Sequence, residues 1–154
     1  MYKVERILCP TDFSEGSLQA LSAASDIATK LRAELSVIYV LPLQSAFPTD
    51  PTTVFEMHQR QDLVRKHLDE MTRELNEKGM QGRAFLEHGD AAGEIVRVAE
   101  EQRMDLIVIA TFGKTGWRRL AFGSVTEKVV RQAPCPVLVI RGSESLIRAE
   151  DAAA

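Results

Sequence analysis

The chain has 154 residues, 45% of them hydrophobic and 27% charged, with a formal net charge of −3. That is the composition of one soluble globular domain, long enough to close a single core. The slight acidity argues against a nucleic-acid partner, and no run approaches the ~20 apolar residues that cross a bilayer.

In chain order, Val4 to Cys9 predicts a first strand ended by Pro10, followed by the polar turn Thr11-Asp12-Phe13-Ser14, which is rich in helix-capping residues. Leu18, Leu21, Ala24, Ala28 and Leu31 recur at three- and four-residue steps and predict the inner face of a helix. Leu35 to Leu41 is a second apolar strand. The stretch from Pro42 to Thr53 holds Pro42, Pro48 and Pro51 and reads as a mobile loop at the rim. Val64, Leu68, Met71 and Leu75 mark a second helix that stops near Gly79 and Gly82.

Arg83 to His88 is less apolar than the other strands and so belongs nearer a sheet edge. Ala91 to Arg103 predicts a third helix, with Ile95, Val98 and Ala99 inward, and Asp105 to Ala110 a fourth strand. Ser124 to Gln132 predicts a last helix and Pro136 to Ile140 a fifth strand. Strands alternating with helices imply an α/β fold, a single doubly wound five-stranded parallel sheet with helices on both faces. The domain spans residues 1–141, and residues 142–154 show no period and read as a flexible tail.

Ligands of such folds sit beyond the carboxyl ends of the strands, where the strand order reverses. If the first and fourth strands are neighbours, Pro10-Thr11-Asp12 faces Ala110-Thr111-Phe112-Gly113 across that crevice. The segment after the fourth strand carries Gly113 and Gly116 in a basic loop with Lys114, Arg118 and Arg119, and it ends at Gly123-Ser124 before a helix. Glycines admit a bulky anion close to the backbone, and a helix start offers unpaired N–H groups with partial positive charge. The pattern is that of a phosphate cradle.

Each feature also has a plain structural reading. Gly113 and Gly116 make an ordinary turn, Asp12 caps the first helix, and Ser124 with Glu127 has the spacing of a capping box. Gly113-Lys114-Thr115 has the form of a Walker ending, but that motif needs glycine where Val108 sits in a strand. His58, His67 and His88 lack metal spacing and read as surface residues. Trp117 suits a lid or a partner contact, and Phe47 and Phe55 suit packing. Cys9 and Cys135, each beside a proline and without CxxC spacing, read as buried thiols of a reducing compartment. The first residues lack a secretory core. These features point to the cytoplasm.

Over Val4 to about Arg141 the chain resembles the universal stress protein family, whose fold is a Rossmann-like, adenine-nucleotide-binding type. The resemblance is carried by Ile7 to Ser14, Gly89-Asp90, Asp105 to Ala110 and Pro134 to Ile140. It also rests on the spacing of a glycine, two residues, a second glycine, nine residues and a glycine with a small hydroxyl residue. Here the second glycine is Gly113 and the final pair Gly123-Ser124, while Ala110 stands at the first position. The resemblance implies ATP, alone or with Mg²⁺, as ligand. Asp12 would hold the ribose hydroxyls, and main-chain groups of Val40 would meet the adenine edge. Pro10, Thr11 and Ile109 would lie near base or sugar. The N–H groups of Gly113, Gly123, Ser124 and Val125 would hold the phosphates, assisted by the Ser124 hydroxyl. If the family's glycine requires a positive φ, Ala110 costs roughly 1–2 kcal/mol. If not, its methyl only trims space beside the ribose.

Val137-Leu138-Val139-Ile140 carries no charge to discourage pairing at an edge, and the family pairs this strand across a two-fold axis, so a homodimer is expected. Two classes of function follow. One is a stress-response module whose bound nucleotide biases its dimer or a partner, and the other is a slow ATP hydrolase or nucleotidyl-transfer enzyme using the same site. Phosphoryl transfer wants a metal and a group orienting the attacking water. No motif near the cradle supplies them, which favours the module.

Overall fold

The computed structural model describes residues 1–43, 50–111 and 123–141. The elements run β1 (Arg6–Pro10), α1 (Glu15–Leu31), β2 (Glu34–Leu41), α2 (Pro51–Glu77), β3 (Ala84–His88), α3 (Ala91–Glu101), β4 (Leu106–Ala110), α4 (Ser124–Gln132) and β5 (Val137–Ile140). The five strands form one sheet in the order β3-β2-β1-β4-β5, parallel throughout. The expected α/β architecture is therefore present, with β3 at one edge and β5 at the other. The expected tail, residues 142–154, lies outside the described residues, as do 44–49 with Phe47.

Strand side chains alternate between two apolar layers, as the period of two requires. Ile7, Cys9, Leu35, Val37, Tyr39, Val108 and Ala110 pack with α1 and α2 on one face. Leu8, Ile38, Ile107 and Ile109 pack with α3 and α4 on the other. A sheet covered on both faces needs strands that are apolar throughout, and the runs in β1, β2 and β4 supply them. No helix among the described residues is long and apolar enough to cross a membrane.

Several local expectations are corrected. The buried face of α1 is Ser17, Ala20, Ala24 and Ala28, while Leu18 and Leu31 are exposed. Small side chains let the helix lie close on the sheet, and close approach outweighs the apolar content of the leucines. Pro51 to Thr53 belongs to α2 rather than to the preceding loop. Asp50 caps that helix by accepting from Thr53 N at 2.9 Å, and Pro51 fills its first turn, where its missing N–H costs nothing. Pro10 lies inside β1, not after it, paired with Ile38 of β2. Cys9 is fully buried but Cys135 only half-buried, and both are free thiols.

Candidate nucleotide-binding crevice

The site begins with a missing backbone donor in the sheet, at Pro10. Thr11 N donates to Ile38 O at 2.9 Å, whereas Arg6 O accepts from Asp105 N at 2.8 Å. Odd positions of β1 thus turn their backbone groups to β2 and even positions turn theirs to β4. Pro10 is even, so the N–H it lacks is one that would have reached β4. Pairing between β1 and β4 accordingly covers Ile7 and Leu8. The strand order reverses between these two neighbouring strands, and the site lies past their carboxyl ends.

The same alternation places Val40. Val37 N donates to Arg83 O and Leu41 O accepts from Gly89 N, so odd positions of β2 face β3. Val40 therefore turns its N–H and C=O toward β1, two residues past the Pro10–Ile38 pair. The next amide of the β1 segment able to continue the ladder is that of Phe13, and it donates instead to Thr11 Oγ1 at 3.1 Å.

On the β1 side, buried Thr11 shares a 3.1 Å hydrogen bond with Ser17 Oγ in α1. Half-buried Asp12 accepts from Ser14 N at 3.0 Å through Oδ1, closing a tight turn. Ser14, rather than Asp12, caps α1 by accepting from Ser17 N. Phe13 between them has φ 63, a left-handed conformation that costs a non-glycine residue roughly 1–2 kcal/mol. Its ring stacks on Tyr39 with centroids 5.0 Å apart and meets His67 of α2 edge-on at 5.1 Å.

On the β4 side, Ile109 and Ala110 are buried strand residues. Ala110 is not among the positive-φ residues, so its methyl carries no backbone strain. Thr111 donates from N and Oγ1 to Ile140 O at 3.0 and 3.1 Å, and Gly123 N donates to Thr111 O at 2.8 Å. Buried Thr126 donates from Oγ1 to Ala110 O at 2.7 Å. These bonds fasten the first turn of α4 to the end of β4.

Gly123 is the N-cap of α4 and makes no side-chain cap hydrogen bond. Ser124 is thus the first helical residue and no capping box forms with Glu127, which pairs instead with Arg131 at 2.7 Å. Gly123 has φ −67, open to any residue, so its contribution is the missing side chain. The N–H groups at Ser124 and Val125 begin a helix whose N-cap, Gly123, has no side chain to satisfy them, an arrangement suited to an anion. Gly113, Gly116 and the basic residues Lys114, Arg118 and Arg119 lie outside the described residues, as does Trp117.

The structure therefore places Pro10, Thr11, Asp12 and Val40 at the carboxyl ends of β1 and β2, and Ile109, Ala110, Gly123, Ser124 and Val125 at the carboxyl end of β4 and the start of α4. A carboxylate, main-chain groups past the last strand pair and a glycine-capped helix start fit the sugar, base and phosphate of a nucleotide in kind. Thr126, Phe13 and His67 escaped sequence reasoning. A threonine in a first helical turn and an aromatic after an aspartate look like ordinary helix and turn residues until their partners are known.

Comparison with known proteins is consistent across sequence and structure. Residues 3–141 match the Universal stress protein family. A universal stress protein of Methanocaldococcus jannaschii is 35% identical over 143 residues, covering 92% of this chain and 83% of that protein. The solved universal stress protein UspA from Lactobacillus plantarum is 29% identical and superposes with TM-score 0.75, over 90% of this chain and 99% of that one. Two more distant universal stress protein structures, each 22% identical, share the fold with TM-scores of 0.65 and 0.62. They cover 90% and 91% of this chain and 97% and 99% of their own lengths. The first is in complex with cAMP, and the second, from Archaeoglobus fulgidus, with dAMP.

Proposed function

The chain belongs to the universal stress protein family, and from that premise we propose that it binds an adenine nucleotide, ATP, in the crevice between β1 and β4. Asp12 accepts hydrogen bonds from the ribose hydroxyls, and the main chain of Val40 meets the adenine edge. Pro10, Thr11 and Ile109 line base and sugar, with Ala110 beside them. The N–H groups of Gly123, Ser124 and Val125, together with Gly113, hold the phosphates. When Mg²⁺ accompanies the nucleotide it offsets phosphate charge.

One observation carries this reading: the Asp12 turn and the glycine-capped start of α4 follow β1 and β4, the neighbouring strands at which the strand order reverses. The cAMP- and dAMP-bound relatives agree in ligand chemistry, although at their distance they bear on the fold. The bound nucleotide biases self-association through β5 or the docking of a partner, and the two free thiols suit a reducing cytoplasm. Calorimetric titration with ATP tests the site. Asp12→Ala should weaken binding about ten- to a hundredfold, the loss of a charge-assisted hydrogen-bond pair, while the domain still folds without ligand. Equal ATP affinity in the two proteins refutes the assignment.

A further inference from the structure

Phe13 holds a conformation that a bulky side chain adopts rarely, directly after the carboxylate assigned to the ribose. Such an outlier persists only where its surroundings over-determine it. Three contacts do so here. The Phe13 ring lies on Tyr39 at 5.0 Å and 25°, His67 abuts it at 5.1 Å and 81°, and its N–H is held by Thr11 Oγ1. Offset-stacked and edge-to-face arrangements are those the ring quadrupoles favour. The left-handed turn brings Ser14 N within 3.0 Å of Asp12 Oδ1, so the carboxylate's position follows from the ring's. Tyr39 immediately precedes Val40. A single stack therefore ties the carboxylate turn to the strand segment assigned to the base, and His67 extends the tie to α2.

We propose that Phe13, clamped between Tyr39 and His67, is a positioning residue that sets the Asp12 carboxylate for recognition of the ribose hydroxyls. The inference rests on the nucleotide-binding reading above and adds a determinant of sugar specificity to it. Phe13 acts through Asp12, so its loss should appear in discrimination between sugars more than in overall stability.

The test is calorimetric affinity for ATP and for 2′,3′-dideoxyATP in the parent, Phe13→Gly and His67→Ala. Phe13→Gly permits the left-handed backbone while deleting the ring, and His67→Ala alters an exposed position that leaves the core intact. The parent should prefer ATP by about tenfold or more. Phe13→Gly should bring the ratio to within about threefold of unity, and His67→Ala should give an intermediate ratio. A parent-like ratio in Phe13→Gly, or an equal loss of affinity for both nucleotides, overturns the proposal. Should Phe13→Gly fail to fold, His67→Ala decides: a reduced ratio supports the clamp and an unchanged one overturns it. A parent that binds neither nucleotide, or binds both equally, refutes the nucleotide or ribose reading instead.

Discussion

Ala110 stands where the family motif begins with glycine, yet it is an ordinary strand residue, 7% exposed, in the layer beneath α1. Its methyl packs, and no positive φ awaits relief. Ala110→Gly should therefore destabilise the domain by about 0.5–1 kcal/mol without tightening ATP binding, measurable by urea denaturation and calorimetry. Thr126 is more demanding. Its hydroxyl satisfies the Ala110 carbonyl at 2.7 Å inside the protein, so Thr126→Val should cost about 1–3 kcal/mol by stranding that oxygen and should loosen the start of α4. Cys9 gives the pH dependence: burial pushes its thiol from the ordinary 9.0 up to about 12. The folded chain keeps this proton longer than the unfolded one, so the thiol's contribution is complete below pH 9.0 and is lost as pH rises toward about 12. Denaturation at pH 8 and pH 10 should show a loss of about 1 kcal/mol from this group that Cys9→Ala lacks.

At the scale of elements, the strands were legible because a parallel sheet covered on both faces demands continuous apolar runs, and β1, β2 and β4 have them. Helix faces were less so. In α1 the leucines mark a convincing stripe, but contact with the sheet is made by alanines and a serine that no hydropathy count favours. The start of α2 carried a readable signal, an aspartate before a proline, obscured by the prolines around it. The site divides similarly. Asp12 and Gly123-Ser124 were visible as motif positions, whereas the Thr126 latch and the aromatic clamp arise from contacts between distant segments. Gly82 shows the same limit. It reads as a helix stop, but a β-carbon there would lie 1.5 Å from Leu35 O. Gly82→Ala should push β3 from β2 and cost about 3 kcal/mol, the upper part of the range for overpacking, seen as a lowered urea midpoint.

For the whole molecule, the two sheet edges differ in kind. β3 is guarded, since Glu87 within it is bound by Arg97 at 2.8 Å and Arg83 lies over the Phe85 ring at 5.3 Å. β5 has four uncharged residues, and Leu138 is 39% exposed. An apolar edge invites pairing where a charged one resists it. Leu138→Lys should convert a dimer to a monomer in sedimentation velocity at micromolar concentration, with the circular dichroism spectrum retained. A parent that already sediments as a monomer would refute self-association through β5.

The place of the Asp12 turn and of Ser124, past the ends of β1 and β4, has a consequence for how fast a ligand arrives. A cleft that had to be pried apart would make the entering molecule wait on a rare opening, and its capture rate would level off as concentration rose. Here the proposed contacts follow the ends of β1 and β4, so no pairing between those strands needs to unzip. Stopped-flow mixing should give an observed rate that climbs in a straight line with nucleotide concentration, and a rate that levels off would refute a standing entry.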